Sequence, residues 1–201
     1  MPGSEVYENE WQQLLEMVTG ANADFVIASG SLPPGVPTDI FGRISVIAKK
    51  NNANFIADTS GEALQLAVEE GVFLVKPNLG ELSSLVGKGE VNHESIDEIA
   101  REFINKEKCQ NIVVSMGRAG ARLITMHESV QIVPPVVKKQ STVGAGDSMV
   151  AGIVYSLSIG KNLKEAVQYG VAAGTAATMN PGTELCKKED TDKLFAIIRG
   201  H

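Results

Sequence analysis

With 201 residues, 43% hydrophobic and 21% charged, the chain is long enough to bury a sizeable core and has the composition of a globular domain. With a net charge of -6 and no Lys/Arg run, nothing points to nucleic acid or an anionic membrane. Two cysteines, Cys109 and Cys186, form neither a disulfide framework nor a zinc set, and they suit a reducing cytoplasm.

Glu8 to Val18 places Trp11, Leu14, Leu15 and Val18 at i, i+3, i+4 and i+7. That spacing predicts an amphipathic helix with Trp11 in the core. Asp24 to Ser29 is a short apolar run, expected as a buried strand, and ends in the Gly/Pro loop Gly30 to Gly35. Thr38 to Lys50 reads as a helix, Asn54 to Asp58 as a strand, and Glu62 to Glu70 as a helix after the Thr59-Ser60-Gly61 turn. A third strand, Val72 to Lys76, stops at Pro77, which cannot donate to a ladder. Asn78 opens a helix to about Val86, and Ser95 to Lys106 forms a longer one. Asn111 to Met116 is a fourth strand before Gly117-Arg118-Ala119-Gly120. Ala121 to Met126 and Ser129 to Val133 read as an antiparallel pair around His127-Glu128, ended by Pro134-Pro135. Helices follow from near Gly144, from Leu163 to Met179 and from Thr191 to Arg199. No basic and then apolar leader opens the sequence, and no apolar run reaches membrane-spanning length. There is no internal repeat.

Apolar strands alternating with helices imply an α/β fold, a parallel sheet with helices on both faces. Ligands of such sheets bind beyond the carboxyl ends of the strands. The loops at Ser31, Asp58 to Gly61, Lys76 to Asn78 and Ser115 to Gly120 lie there, so the polar and Gly-rich residues collect at one edge.

The richest stretch is Ser141-Thr142-Val143-Gly144-Ala145-Gly146-Asp147. Behind it, Met149, Val150, Ala151, Ile153, Val154 and Leu157 recur at helical spacing, so a buried helix starts near Gly144. The first amides of a helix have no partner within it, and the dipole adds partial positive charge. Gly144 and Gly146 allow close approach to the backbone, which makes an anion site suited to phosphate. Asp147 beside such a site can take the proton of an attacking hydroxyl while the amides hold the transferring group. The competing reading is tight packing at the glycines and helix capping by Asp147. A P-loop and a Rossmann glycine fingerprint are both absent. Ser31, Ser115 and Ser148 have no nucleophile-elbow setting, and His93, His127 and His201 read as solvated.

The block STVGAGDSMVAG resembles the C-terminal signature of the PfkB-type, ribokinase-like carbohydrate kinases. The resemblance extends through GSLPPG (Gly30 to Gly35), DTSGEAL (Asp58 to Leu64), KPNLGEL (Lys76 to Leu82), VVSMGRAG (Val113 to Gly120) and GVAAGTAATMNPGT (Gly170 to Thr183), in the family's order. GSLPPG, Pro134-Pro135 and the run through Leu185-Cys186 look most like the minor bacterial 6-phosphofructokinase branch. The 1-phosphofructokinase and tagatose-6-phosphate kinase branches are close neighbours.

The resemblance implies Asp147 as base and the amides of Gly144, Ala145 and Gly146 as anion hole. It implies that Asn78 and Glu81 organise Mg²⁺ near the ATP phosphates, although the same pair reads as an N-cap and its capping-box partner. Lys76 would approach the phosphates; otherwise it is a snorkelling strand-end lysine. Ser115, Gly117, Gly120 and Thr142 would lie along the nucleotide, the first three otherwise forming a plain turn. Ser31 would contact the phosphosugar. Ser141, Val143, Ala177, Asn180 and Gly182 match positions that hold a monovalent cation such as K⁺ in some members.

The resemblance covers only the later part of such a kinase, as one C-terminal portion over residues 1–201. Met1-Pro2-Gly3 looks like an interior segment. The first strands of the sheet, the β-lid and most sugar-binding residues have no counterpart here. The resemblance therefore implies a cytoplasmic, ATP-dependent phosphosugar kinase of glycolysis, inactive or weakly active alone. A homodimer, or the missing half in trans, is the implied partner. A non-catalytic nucleotide-binding module is the alternative of another class. A nucleoside or vitamin-precursor kinase is disfavoured by GSLPPG and by the Ser-Thr-Val lead-in to Gly144.

Overall fold

A computed structural model describes residues 3–87 and 95–200. Met1, Pro2, His93 and His201, which figure in the readings above, lie outside the described residues; His127 is exposed, as expected. Among the described residues, six strands form one sheet in the order β1 to β6, flanked by helices. The chain divides into two compact units, Met1–Ile112 with Ile124–His127, and Val113–Leu123 with Glu128–His201.

The first unit holds α1 (Glu8–Gly20), β1 (Phe25–Ser29), α2 (Ile40–Lys50), β2 (Asn54–Asp58), α3 (Gly61–Glu69), β3 (Val72–Val75), α4 (Leu79–Val86), α5 (Ile96–Asn105) and the start of β4 (Cys109–Ser115). β1 to β4 are parallel neighbours. Phe55, Ile56 and Ala57 are buried in succession, so β2 is covered on both faces, as a central parallel strand requires. Ile56, Leu64, Leu74, Leu82, Ile96 and Ile112 fill this core. Ser29 stands opposite Asp58 in the β1–β2 register, and Ala57 opposite Val75 in the β2–β3 register. The strands therefore end level, and their following residues meet at one edge.

Two sequence expectations need correction. β1 is not a buried strand: only Ala28 is buried, and Ile27 is 44% exposed. No residue of α1 is buried, with Leu14 and Met17 exposed. Trp11 is half-buried under the Arg43 guanidinium, 5.3 Å from its ring centroid, and is not a core residue. The reason is general. Apolar periodicity shows which face of an element avoids water, but it carries no information about whether another element covers that face.

Cys109 opens β4 and is buried in apolar surroundings, where desolvation pushes its thiol up to about 12. Cys186 is half-buried, and both cysteines are free thiols.

The second unit holds the end of β4, a 3₁₀ turn (Gly117–Ala119), β5 (Ala121–Ile124, of which Ile124 belongs to the first unit), β6 (Ser129–Ile132), α6 (Ala145–Ser158), α7 (Leu163–Thr178) and α8 (Lys188–Arg199). α8 begins three residues before the expected Thr191. Its first turn is Lys188-Glu189-Asp190, polar residues that give no apolar period but complement the helix dipole with Glu189 and Asp190.

α6 and α7 pack backbone to backbone. A Cβ on Gly170 would stand 2.7 Å from the Met149 carbonyl oxygen and 2.5 Å from Ile153 Cγ1. One on Gly174 would stand 2.9 Å from the Ala145 carbonyl oxygen. Ala166, Ala172, Ala173, Ala176 and Ala177 complete the small-residue surface of α7, all buried. The first turn of α6 is thus seated against a helix with almost no side-chain slack.

Candidate active site

At the carboxyl edge of the first unit, Lys76 follows β3 directly. Its ammonium lies 2.9 Å from Asp58 Oδ1, with the two side chains only 8% and 15% exposed. Lys76 therefore does not snorkel into solvent. Ser29 Oγ donates to Asp58 Oδ2 at 3.5 Å. The Gly30 amide donates to the Asp58 carbonyl at 3.0 Å, and Thr59 Oγ1 donates to the Gly30 carbonyl at 2.7 Å. The loops after β1 and β2 are thereby stitched together. Ser31 is exposed on the first of them. The Pro33-Pro34-Gly35 turn is pinned by the Val6 amide donating to the Pro34 carbonyl at 2.9 Å. Gly35 has φ 87°, and a Cβ there would fall 2.2 Å from the Val6 carbonyl oxygen, so no other residue fits.

Asn78 is the N-cap of α4 and forms a full capping box with Glu81. The Glu81 amide donates to Asn78 Oδ1 at 2.9 Å, and the Asn78 amide donates to Glu81 Oε2 at 2.8 Å. The capping reading of these residues is correct. It leaves the second carboxylate oxygen of Glu81 available for other work at a helix N-terminus.

In the second unit, the segment after β4 forms a self-contained turn. The Met116 amide donates to the Gly120 carbonyl at 2.8 Å, and the Gly120 amide to the Gly117 carbonyl at 3.1 Å. Ser115 ends β4, half-buried. A Cβ on Gly120 would sit 2.0 Å from the Ile132 carbonyl oxygen, so β6 itself demands glycine there, whereas Gly117 faces open space. Packing thus explains Gly120 without a nucleotide.

The stretch from Ser141 to Asp147 has the geometry its sequence implies. Gly144 is the N-cap of α6 at φ 74°, a left-handed conformation that glycine adopts without strain. The Ala145 amide makes only a long 3.4 Å bond to the Thr142 carbonyl. The Gly144 and Gly146 amides donate to nothing among the described residues. Asp147 is the third helical residue, exposed on that same turn. Since Gly144 has no side chain, nothing local supplies the missing cap, and the turn presents its amides outward. Outward amides and a carboxylate on one turn can hold an anion and accept a proton beside it.

Beneath this turn the residues matched to a monovalent-cation site come together. The Gln140 and Ser141 amides donate to the Thr178 carbonyl, at 2.8 and 3.3 Å. Ser141 Oγ donates to the Gly182 carbonyl at 2.6 Å. Asn180, 7% exposed, donates through Nδ2 to the Leu185 carbonyl at 2.8 Å. Ala177 is fully buried at the end of α7, and Val143 is exposed.

Sequence reasoning assigns no role to Asp58. Its signal lies in the register, which brings an acidic residue and a lysine together from neighbouring strand ends.

The pfkB family carbohydrate kinase profile matches residues 4–190. The chain is 43% identical over 200 residues to the ATP-dependent 6-phosphofructokinase isozyme 2 of Escherichia coli strain K12, covering 98% of this chain and 65% of that protein. A crystal structure of Escherichia coli phosphofructokinase-2 with potassium superposes with a TM-score of 0.94 at 43% identity, over 99% of this chain and 65% of the other. A crystal structure of that enzyme in complex with fructose-6-phosphate gives 0.91 at 40% identity, over 99% and 64%. The 1-phosphofructokinase of Rhodobacter capsulatus is 36% identical over 176 residues, 88% of this chain and 54% of that protein. The chain thus spans about two thirds or less of the length of these relatives.

Proposed function

This chain belongs to the pfkB family of carbohydrate kinases and has its ribokinase-like fold, and from that premise we propose that it transfers the γ-phosphoryl group of ATP to the C1 hydroxyl of fructose 6-phosphate. One observation carries the reading: a single helical turn offers the outward amides of Gly144 and Gly146 together with the Asp147 carboxylate. Asp147 takes the proton of the sugar hydroxyl as its oxygen bonds to the γ-phosphorus. The bond from that phosphorus to the bridging oxygen of ADP breaks, and ADP leaves. The amides of Gly144, Ala145 and Gly146 stabilise the charge that spreads over the phosphoryl oxygens. Lys76 supplies a positive charge for the ATP phosphates, while Ser115, Gly117, Gly120 and Thr142 border the nucleotide. Ser31 binds the phosphosugar.

Mg²⁺ is a hard cation that favours oxygen ligands and keeps several waters. No cluster of three or more metal-ligating side chains exists among the described residues, so an all-protein cage does not fit. The half-exposed Glu81 beside Asn78 does fit a metal held through waters. When bound, Mg²⁺ neutralises phosphate charge. Ser141, Val143, Ala177, Asn180 and Gly182 would hold K⁺ through their oxygens; the related Escherichia coli enzyme has been crystallised with potassium.

A second reading, a nucleotide-binding module that works with a further polypeptide or a second copy, draws support from the uncovered apolar faces of α1 and β1 among the described residues. Fructose 1-phosphate is the alternative substrate, given the Rhodobacter relative. No helix among the described residues is long and apolar enough to cross a membrane. The test measures ADP release with Mg-ATP and fructose 6-phosphate, fructose 1-phosphate or tagatose 6-phosphate, alongside calorimetric ATP binding. Turnover highest with fructose 6-phosphate is the expected result. ATP binding without turnover on any sugar would replace it with the module reading.

A further inference from the structure

The carboxyl edge of the first unit contains an acidic residue that the kinase reading does not use. We infer that Asp58 is a positioning residue, holding the Lys76 ammonium in place for the nucleotide phosphates; this rests on the reading of Lys76 as a phosphate ligand. The geometry is specific. Asp58 Oδ1 is 2.9 Å from Lys76 Nζ, and Ser29 Oγ donates to the other carboxylate oxygen. The carboxylate itself is therefore anchored from a neighbouring strand. Register explains why: Ser29 stands opposite Asp58, and Ala57 opposite Val75, which puts Lys76 one step beyond β3 beside Asp58. The Lys76 amide donates to the Ala57 carbonyl at 3.3 Å, so the lysine backbone is tied to the same strand.

Physical chemistry gives this arrangement a purpose. A lysine stem has four rotatable bonds and a strongly hydrated head, and at a strand end it extends into solvent. Here the side chain is 8% exposed, which an unpaired ammonium does not tolerate. Asp58 supplies the compensating charge and, being anchored on its far side, fixes a direction as well as a location. An arriving phosphate then meets a cation whose rotamer freedom is already spent. Stability alone is a weak explanation for the pair, because two well-packed apolar residues usually serve a fold as well as a buried ion pair.

The test is a double-mutant cycle on the full chain: wild type, Asp58→Asn, Lys76→Met and the double variant. Calorimetric ATP binding is read beside thermal melting. Asp58→Glu joins the set because it keeps the charge and moves it by one methylene, which protects the test if Asp58→Asn does not fold. We expect Asp58→Asn and Lys76→Met each to weaken ATP binding by about tenfold or more. Added to Lys76→Met, Asp58→Asn should weaken it by less than twofold further, because its target is gone. Asp58→Glu should melt near wild type yet bind ATP several-fold more weakly. Equal fold-losses in both backgrounds, or wild-type ATP affinity in Asp58→Asn or Asp58→Glu, would overturn the inference and leave the kinase reading intact. Wild-type ATP affinity in Lys76→Met would instead remove Lys76 as a phosphate ligand, and the inference with it.

Discussion

Asp147→Ala is expected to lower kcat with fructose 6-phosphate by about 10²–10⁴-fold, the range over which a positioned base contributes, or roughly 3–5 kcal/mol of barrier. Asp147 is exposed on the first turn of α6 and its truncation leaves no cavity, so the melting temperature should stay near that of the wild type. ATP affinity should stay within about threefold, because an interaction made only in the transition state lowers kcat without weakening ground-state binding. Steady-state kinetics with calorimetric ATP titration check both statements. A loss confined to KM would show that Asp147 binds sugar and does not abstract a proton.

The second large effect concerns a glycine far from the chemistry in sequence. Gly174→Val should destabilise the chain by about 1–3 kcal/mol, the usual cost of forcing bulk into a packed seam, or roughly 2–12 °C in melting temperature at this chain length. Beyond that, it should reduce turnover by tenfold or more in protein that is still folded. The obstacle to its Cβ is the carbonyl oxygen of Ala145, at 2.9 Å. Backbone cannot rotate away as a flexible side chain can, so the first turn of α6, proposed above as the anion hole, must shift. Gly170→Ala is the matched control. Its Cβ meets Met149 and Ile153 further along α6, and it should lower stability with a smaller effect on turnover. Equal ratios of lost activity to lost stability in the two variants would show that the seam only packs and does not place the anion hole.

Much of the fold was legible because it rests on local chemistry. β2 and the Asn78 cap of α4 follow from an apolar run and from capping preference, and the structure places both where the sequence does. The start of α6 at Gly144 is equally local, since a left-handed glycine before an apolar 3.6-residue period ends one conformation and begins another. What was not legible depends on partners distant in the chain. Ile27, Leu14 and Met17 are apolar but exposed, and only the arrangement of neighbouring elements decides that. Asp58 and Lys76 are 18 positions apart, and only strand register makes them a pair. The Ile132 carbonyl fills the space a side chain on Gly120 would need, a packing demand that only the approach of β6 reveals. A glycine in sequence shows that room is required without showing what occupies it.

The two thiols described above turn the molecule into its own stopwatch. With burial pushing its pKa up to about 12, the Cys109 thiol stays protonated at pH 8, and burial denies a reagent access as well. A disulfide-exchange reagent should consume Cys186 first. It should reach Cys109 only at the rate at which the β3–β4 region transiently opens. The slow phase of such a labelling trace would time breathing of β3 and β4, the first of which runs directly into Lys76, with no substitution needed. Under the proposed role of Lys76 as a phosphate ligand, ATP should lengthen that phase.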